Sequence, residues 1–153
     1  MTQKTLTPST NAINLSFHQK STLLSLIITS SATAYYFVNA WAMQPLAEAS
    51  GLMPDGYGRL ILNTVIVIVL SQIVLQIVLA FGSGAAPAAT PHEQSAALKA
   101  TRNAHIVLTL TVFAGVASFW GEMIPFYMVD LLVIGFALSE IIKFASQLVY
   151  TRR

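Results

Sequence analysis

Charged residues are scarce in this sequence, and long stretches contain none. Only 9% of its 153 residues are Asp, Glu, Lys or Arg, against about 25% in ordinary soluble domains. No charged residue occurs between Arg59 and Glu93, nor in residues 22–47 or 103–121, and residues 124–149 contain three. Each stretch is near the roughly 20 residues that cross a hydrocarbon core about 30 Å thick. This pattern excludes an ordinary soluble domain and predicts a multi-pass membrane protein.

Cysteine is absent, which excludes disulfides, thiolate metal sites and cysteine nucleophiles. The sequence has no glycine-rich phosphate loop and no serine, histidine and acid set with hydrolase spacing, so it predicts no enzyme. Only one of the three histidines lies near a predicted span, which leaves haem without two axial ligands, and we expect no cofactor. The basic residues are too scattered to indicate nucleic-acid binding. The spacing of His18, His92 and Glu93 does not demand a metal site.

The apolar stretches predict an all-α protein with a bundle of four transmembrane helices in one membrane domain, residues 1–153. The predicted spans are residues 22–43, 60–81, 103–121 and 124–149, and residues 82–102 form a loop between the second and third spans.

The third helix is predicted to begin within that loop. Thr90 suits the N-cap, Pro91 suits the first helical position, and Glu93 completes a capping box. The helix would then project from the bilayer by two or three turns before it enters near Asn103.

Basic residues are unequally divided between the two ends of the predicted spans. One side has only Arg59, close to Asp55 and Glu48. The positive-inside rule therefore places both termini and the 82–102 loop in the cytoplasm. The basic residues of that side are Lys4, Lys20, Lys99, Arg102, Arg152 and Arg153, with Lys143 near the same face. An aromatic belt is expected at the opposite interface from Trp41, Tyr57, Trp120, Phe126 and Tyr127.

The second and fourth spans contain similar segments. Leu70-Ser71-Gln72-Ile73-Val74 aligns with Leu138-Ser139-Glu140-Ile141-Ile142, while the first and third spans each end in a tryptophan. Two hairpins of like direction would form a parallel repeat. The alternative is a chance alignment of two apolar helices, and the residues leave both open.

Polar residues within the spans are functional candidates, because charge in a membrane is costly. Helical spacing and depth predict a polar cluster in the inner leaflet formed by Glu140, Lys143, Gln147, Gln72, Gln76 and His105, with Ser25 or Thr29 at a similar level. In one interpretation Glu140 binds a proton or cation, Lys143 tunes the proton affinity of Glu140, and His105 passes protons to the cytoplasm. In the favoured interpretation Glu140 and Lys143 form an internal salt bridge, and the glutamines join helices by hydrogen bonds.

A second polar group is predicted near the outer face. Asp130 lies about 9 Å below the outer end of the fourth span and has no obvious cation beside it in sequence. Arg59 and Asn39 are its candidate partners, and we expect a structural role. Close packing between helices is expected at the small-residue pairs Ala114…Ser118 and Ala117…Gly121 on the third span.

Several short segments are similar to those of one family. Residues 16–21, Ser-Phe-His-Gln-Lys-Ser, resemble the "SFQEKS" start of a family of small, uncharacterised bacterial four-helix membrane proteins, and residues 139–143 with 147–153 resemble its "AELVK…QLYxYRR" end. Residues 102–104 resemble an "RNA"-like stretch of the family, whereas residues 92–95 keep one acid of its "DERD" loop. The resemblance implies a four-helix protein of the bacterial inner membrane and supplies no reaction.

Three functions are compatible with these features. The favoured hypothesis is a structural or accessory membrane protein that makes helix contacts with itself or with a larger membrane complex. The alternative is a small oligomeric transporter or channel coupled to protons or cations. The third is a membrane sensor that signals through the projecting third helix.

Overall fold

The chain is all-helical over the residues that the computed structural model describes, which are 17–82 and 90–152. Residues 83–89 of the predicted loop, together with Lys4 and Arg153, lie outside the described residues. The helices are α1 (Phe17–Ser50), α2 (Tyr57–Gly82), α3 (Pro91–Ser118), which is followed by a short 3-10 turn (Phe119–Gly121), and α4 (Pro125–Arg152). The predicted all-α class and the four helices are confirmed.

Helix α3 begins at the predicted capping box. The backbone N–H of Glu93 donates to the Thr90 hydroxyl at 3.2 Å, and the backbone N–H of Thr90 donates to the Glu93 carboxylate at 3.0 Å. Pro91 occupies the first turn, where its missing N–H is not needed. These contacts satisfy two amide groups that the start of a helix otherwise leaves without partners.

Helix α1 extends beyond the predicted span, which was placed at residues 22–43. It continues through Pro45 and ends at Ser50. Gly51 stops it, because its φ of +69° lies in the left-handed region that glycine tolerates best, and its N–H caps the carbonyl of Ala47 at 2.8 Å. The 34 residues of α1 make it about 51 Å long at 1.5 Å per residue.

The helices pack side by side in the order α2–α1–α4–α3, and the contact between α3 and α4 is the most extensive. Each neighbouring pair is antiparallel. Residues near the start of α1 contact the ends of α2 and α4, and the start of α3 contacts the end of α4. The contacts that show this are Ser21 with Gln76, Gln19 with Thr151, and Asn103 with Tyr150.

The core lies at one end of the molecule, where α1, α2 and α4 meet. Tyr36, Tyr57 and Phe126 are almost completely buried there, and the rings of Tyr57 and Phe126 lie 4.7 Å apart. The prediction that Tyr57 and Phe126 belong to an interfacial aromatic belt is therefore wrong. Trp41 and Trp120 are 77% and 81% exposed, as belt residues would be. Away from this end, the helices expose many large apolar side chains.

Three helical segments are long and apolar enough to cross a membrane: Phe17–Ser50, Tyr57–Val78 and Pro91–Gly121. Helix α4, the fourth predicted span, carries Asp130, Glu140 and Lys143.

Helices α3 and α4 approach each other closely at two glycines. A Cβ atom built on Gly135 would lie 1.9 Å from Cγ2 of Thr111, and one on Gly115 would lie 2.7 Å from Cδ2 of Leu132. The buried face of α3 consists of small residues: Ala96, Ala100, Ala104, Gly115 and Ser118. Of the small residues predicted to pack, Ser118 is buried within the chain, whereas Ala114, Ala117 and Gly121 are exposed. Their use in contacts between copies, the other possibility, stays a prediction.

Candidate functional site

A cleft of about 400 Å³ lies between α1, α2 and α4. Apolar side chains form most of its wall, and Glu140 is its one acidic residue. Its polar members on α1 and α2 are Thr29, Thr33, Tyr36 and Thr64. Ligand sites are commonly concave, largely apolar and furnished with a few polar groups, so this cleft is the candidate functional site.

A hydrogen-bonded triad lies at the Tyr36 end of the cleft. The hydroxyl of Tyr36 donates to Oδ1 of Asp130 at 2.8 Å and lies 2.6 Å from the hydroxyl of Tyr57. Because the Tyr36 proton goes to Asp130, the Tyr57 hydroxyl is the donor in the second bond. One residue comes from each of α1, α2 and α4, so the triad joins three helices and gives the carboxylate of Asp130 a partner.

Neither predicted partner of Asp130 takes this role. The Asn39 amide donates to the carbonyl of Tyr35 in its own helix at 2.7 Å, and Arg59 is exposed. The hydroxyl of Tyr36 replaces them because Tyr36 faces α4 from the buried side of α1.

A second set of hydrogen bonds joins α1 to α2 near the start of α1. The Ser25 hydroxyl donates to Oε1 of Gln72 at 2.8 Å, and Nε2 of Gln72 reaches Oγ1 of Thr29 at 3.5 Å. One turn away, Nε2 of Gln76 donates to the Ser21 hydroxyl at 3.2 Å. The three α1 residues recur every four positions and so lie on one face of the helix.

Glu140 and Lys143 form the predicted ion pair on α4. The side chains are 27% and 28% exposed respectively, and the Lys143 ammonium also lies 4.7 Å from the ring centre of Phe144. The pair is local to one helix, with the three-residue spacing that allows opposite charges to meet.

The predicted inner cluster is divided among these sites. Gln72 and Gln76 form hydrogen bonds to α1. Glu140 and Thr29 both line the cleft, but Glu140 bonds to Lys143 and not to Thr29. Gln147 receives a hydrogen bond on its backbone carbonyl from Thr151. His105 is exposed on α3 and bonds to none of these groups in the described part of the chain.

The residues that sequence reasoning missed are Tyr36, Tyr57 and Ser21. The four-residue repeat of Ser21, Ser25 and Thr29 is a signal that could have identified the α1 face opposite the two glutamines. Tyr36 and Tyr57 give no such signal, because the members of the triad, which also includes Asp130, lie on three different helices.

A groove on the opposite side of the α1–α2 pair is the second concave surface. Two adjoining depressions of about 630 and 450 Å³ share Ile28 and Ser71 and form one continuous groove, here called the α1–α2 groove. It extends from Tyr35 and Asn63 at one end to Val78 at the other. Its full lining is Ile27, Ile28, Ser31, Ala32, Tyr35, Asn63, Thr64, Ile66, Val67, Leu70, Ser71, Val74, Leu75 and Val78.

Beyond the predicted end of the first span, Glu48 ties α1 to α4. Its carboxylate accepts hydrogen bonds from the Tyr127 hydroxyl and from Nε2 of Gln44. These donors stabilise the charged form, first Tyr127 and then Gln44, and hold the pKa of Glu48 below its usual value.

Within residues 17–82 and 90–152, no three acidic or histidine side chains lie close enough together to hold a metal ion. Comparison of the chain with known protein families, with curated proteins and with solved structures finds no match. The family resemblance of the short segments therefore stays a prediction.

Proposed function

We propose that this chain is a small four-span protein of the bacterial inner membrane, and not an enzyme. It acts as a structural or accessory component through helix contacts with copies of itself or with a larger membrane complex. Both termini lie in the cytoplasm, as the excess of Lys and Arg at that end favours.

The packing of α4 supports a fourth span. Helix α4 lies antiparallel between α1 and α3, which are both long and apolar enough to cross a membrane. A helix that runs alongside two membrane-crossing helices occupies the same layer. Its acids are supplied with partners inside the protein, Asp130 by Tyr36 and Glu140 by Lys143, which lowers the cost of placing them there.

The observation that carries the proposal is that the other helices cover only a small part of α2. Only 6% of its most apolar window is buried, and its described contacts are mainly with α1. The four helices thus form an open layer with an unoccupied side, whereas the acids that a transport cycle would use are already engaged. Such a layer is suited to receive further helices.

The test is extraction in mild detergent followed by measurement of the intact mass. The expected result is an assembly larger than one 16.5 kDa chain, recovered from the membrane fraction after alkaline washing. A protein released by the alkaline wash, or a strictly monomeric protein in gentle detergent, would contradict the proposal. Because the chain has no cysteine, the single substitutions Ser50→Cys and Lys99→Cys can report on which side of the membrane the end of α1 and the start of α3 lie.

A second candidate, a proton- or cation-coupled transporter, is favoured by one feature: Glu140 lines the cleft between α1, α2 and α4. Reconstitution in liposomes separates the two functions. Transport requires a flux that Glu140→Gln abolishes while the protein remains folded, and that the exposed substitution His105→Gln leaves unchanged. Absence of flux in the unaltered protein removes this candidate.

A further inference from the structure

We propose that the α1–α2 groove binds a second copy of this chain, with the two α2 helices parallel and Asn63 facing Asn63 across a two-fold axis normal to the membrane. The inference rests on the proposed function, since it assumes a membrane-spanning chain that associates with itself. It adds to that function the surface through which the chain associates, the partner, and the residue at the contact.

In a bilayer, exposed polar groups are more informative than exposed apolar ones. Lipid covers an apolar surface as well as another helix does, so the exposed Val, Ile and Leu residues of α2 identify no interface. A polar side chain that faces hydrocarbon without a partner loses the hydrogen bonds that water would supply. Asn and Gln at such positions therefore promote association between helices.

Asn63 is such a residue. It is exposed on α2, about one turn inside the predicted span, and its side chain has no hydrogen bond within the described residues. The other amides of α1 and α2 within the predicted spans are engaged: Asn39 donates to its own helix, Gln72 bonds to Ser25, and Gln76 bonds to Ser21. Asn63 is the exception, and it lines the α1–α2 groove.

Two serines extend this polar character toward the middle of the membrane. Ser31 and Ser71 line the same groove, near the centres of their predicted spans. Ser118 and Ser139 donate to carbonyls of their own helices at 2.6 and 2.8 Å. Ser31 and Ser71 make no such bond in the described part of the chain, so their hydroxyls are available to a neighbour.

The shape of the groove fits a helix better than a small molecule. From Asn63 to Val78 it follows α2 for 15 positions, which is about 22 Å, or four helical turns. Ser31, Ala32 and Ser71 are small, which lets another backbone approach closely.

Symmetry selects a copy of this chain as the partner. Copies inserted in the same orientation place equivalent residues at equal depth, so Asn63 of one copy meets Asn63 of the other. A carboxamide has a donor and an acceptor and can form two reciprocal hydrogen bonds with its equivalent. The groove residues Asn63, Val67, Leu70 and Val74 also alternate steps of four and three residues, which is the heptad spacing of packed helix pairs.

Disulfide crosslinking in native membranes tests the contact directly, because the chain has no cysteine of its own. Asn63→Cys is expected to give a crosslinked dimer rapidly on mild oxidation. Leu62→Cys, one residue away, exposed and outside the groove, is the matched control. Phe113→Cys, exposed on α3, reports association through the opposite side.

The energetic test measures the monomer–dimer equilibrium in mild detergent. Asn63→Leu is expected to weaken dimerisation about tenfold through loss of two interhelical hydrogen bonds, while Asn63→Gln retains most of it. The control Asn39→Leu removes an amide that is satisfied within α1 and should leave the equilibrium unchanged.

The outcomes separate this inference from the proposed function. Crosslinking at Phe113→Cys but not at Asn63→Cys, or equal crosslinking at residues 62 and 63, would overturn the α2 interface and leave a self-associating membrane protein. A large assembly that contains a single copy of the chain would also overturn it. A strictly monomeric protein would overturn both.

Discussion

The two helical hairpins, α1–α2 and α3–α4, are held together by different means. Hydrogen bonds between side chains join α1 to α2 at Gln72 and Gln76, and a groove and a cleft remain on either side of their contact. Helices α3 and α4 meet at Gly115 and Gly135, where the backbone of one helix touches side chains of the other.

This difference between the hairpins shows that the similar segments of α2 and α4 pack in different ways. The α2 and α4 segments that align around Gln72 and Glu140 make different contacts: Gln72 bonds across to α1, while Glu140 bonds within its own helix. A close helix pair excludes ligands and partners, whereas a pair joined by long polar side chains leaves surfaces open. We therefore expect function to reside with α1 and α2 and rigidity with α3 and α4.

The largest predicted effect comes from a substitution that separates the closely packed helices α3 and α4. Gly135→Ala places a methyl group 1.9 Å from Cγ2 of Thr111, a distance that real atoms do not adopt, so α3 and α4 must separate. We expect a loss of about 3 kcal/mol in unfolding free energy, at the upper end of the usual range for overpacking. Thermal unfolding in detergent measures it.

Two further variants sharpen that result. Gly121→Ala meets open space and should change stability by less than about 0.5 kcal/mol. Thr111→Gly removes all three atoms that clash with the new methyl group and should recover part of the stability lost in Gly135→Ala. Equal unfolding temperatures for Gly135→Ala and Gly121→Ala would show that the close approach does not exist.

The next effect concerns the point where the hairpins join. Tyr36→Phe removes the hydroxyl that donates to Asp130 and accepts from Tyr57. Leaving a buried polar group without its partner costs about 2 kcal/mol, and α1 should loosen from α4. Hydrogen exchange of α1 amides measures the loosening. Tyr35→Phe, at an exposed neighbouring position, should leave the exchange rates as they are.

A smaller effect is expected within the hydrogen-bonded pair. Gln72→Leu removes the bonds to Ser25 and Thr29, and interhelical bonds of this kind average about 0.6 kcal/mol each, so about 1 kcal/mol is expected. Denaturant titration of the monomer measures it, with Ser71→Ala as the control. If Gln72→Leu destabilises as much as Gly135→Ala, the contrast between the hairpins is lost.

The smallest effect is electrostatic and concerns Glu48, which lies beyond the predicted end of the first span. The Tyr127 hydroxyl lowers the pKa of Glu48, so this contact contributes stability above the unfolded pKa and loses it as the pH falls through the lower folded value. Tyr127→Phe should bring the pKa of Glu48 back toward its usual value, which NMR titration of the carboxyl group measures. An unchanged titration would mean that Tyr127 is not the donor.

Features encoded locally could be predicted from the sequence. The capping box at Thr90 and Glu93 depends on residues three apart and is found where expected. The Glu140–Lys143 pair likewise needs only one turn of one helix. The predicted first span ends at residue 43, whereas helix α1 continues to Ser50, where Gly51 gives a local stop signal.

Features that depend on several helices could not be predicted. Asp130 takes its hydrogen bond from Tyr36, which is distant in sequence, and a tyrosine near a membrane interface is equally compatible with an aromatic belt. Tyr57 illustrates this, because only the packing of α2 against α1 and α4 buries it. The small residues of α3 are similarly ambiguous: Ala114 and Gly115 are neighbours, yet one is exposed and the other buried.

The helix order α2–α1–α4–α3 has a consequence for biogenesis. Chains emerge from the ribosome N-terminus first, so α4, one of the two central helices, is made after the other three described helices. Until α4 arrives, the Tyr36 hydroxyl has no carboxylate to bind and the glycine face of α3 has no partner. The four-helix arrangement therefore forms only after translation of the 28 residues of α4, and a chain interrupted before them would expose these faces to quality-control proteases.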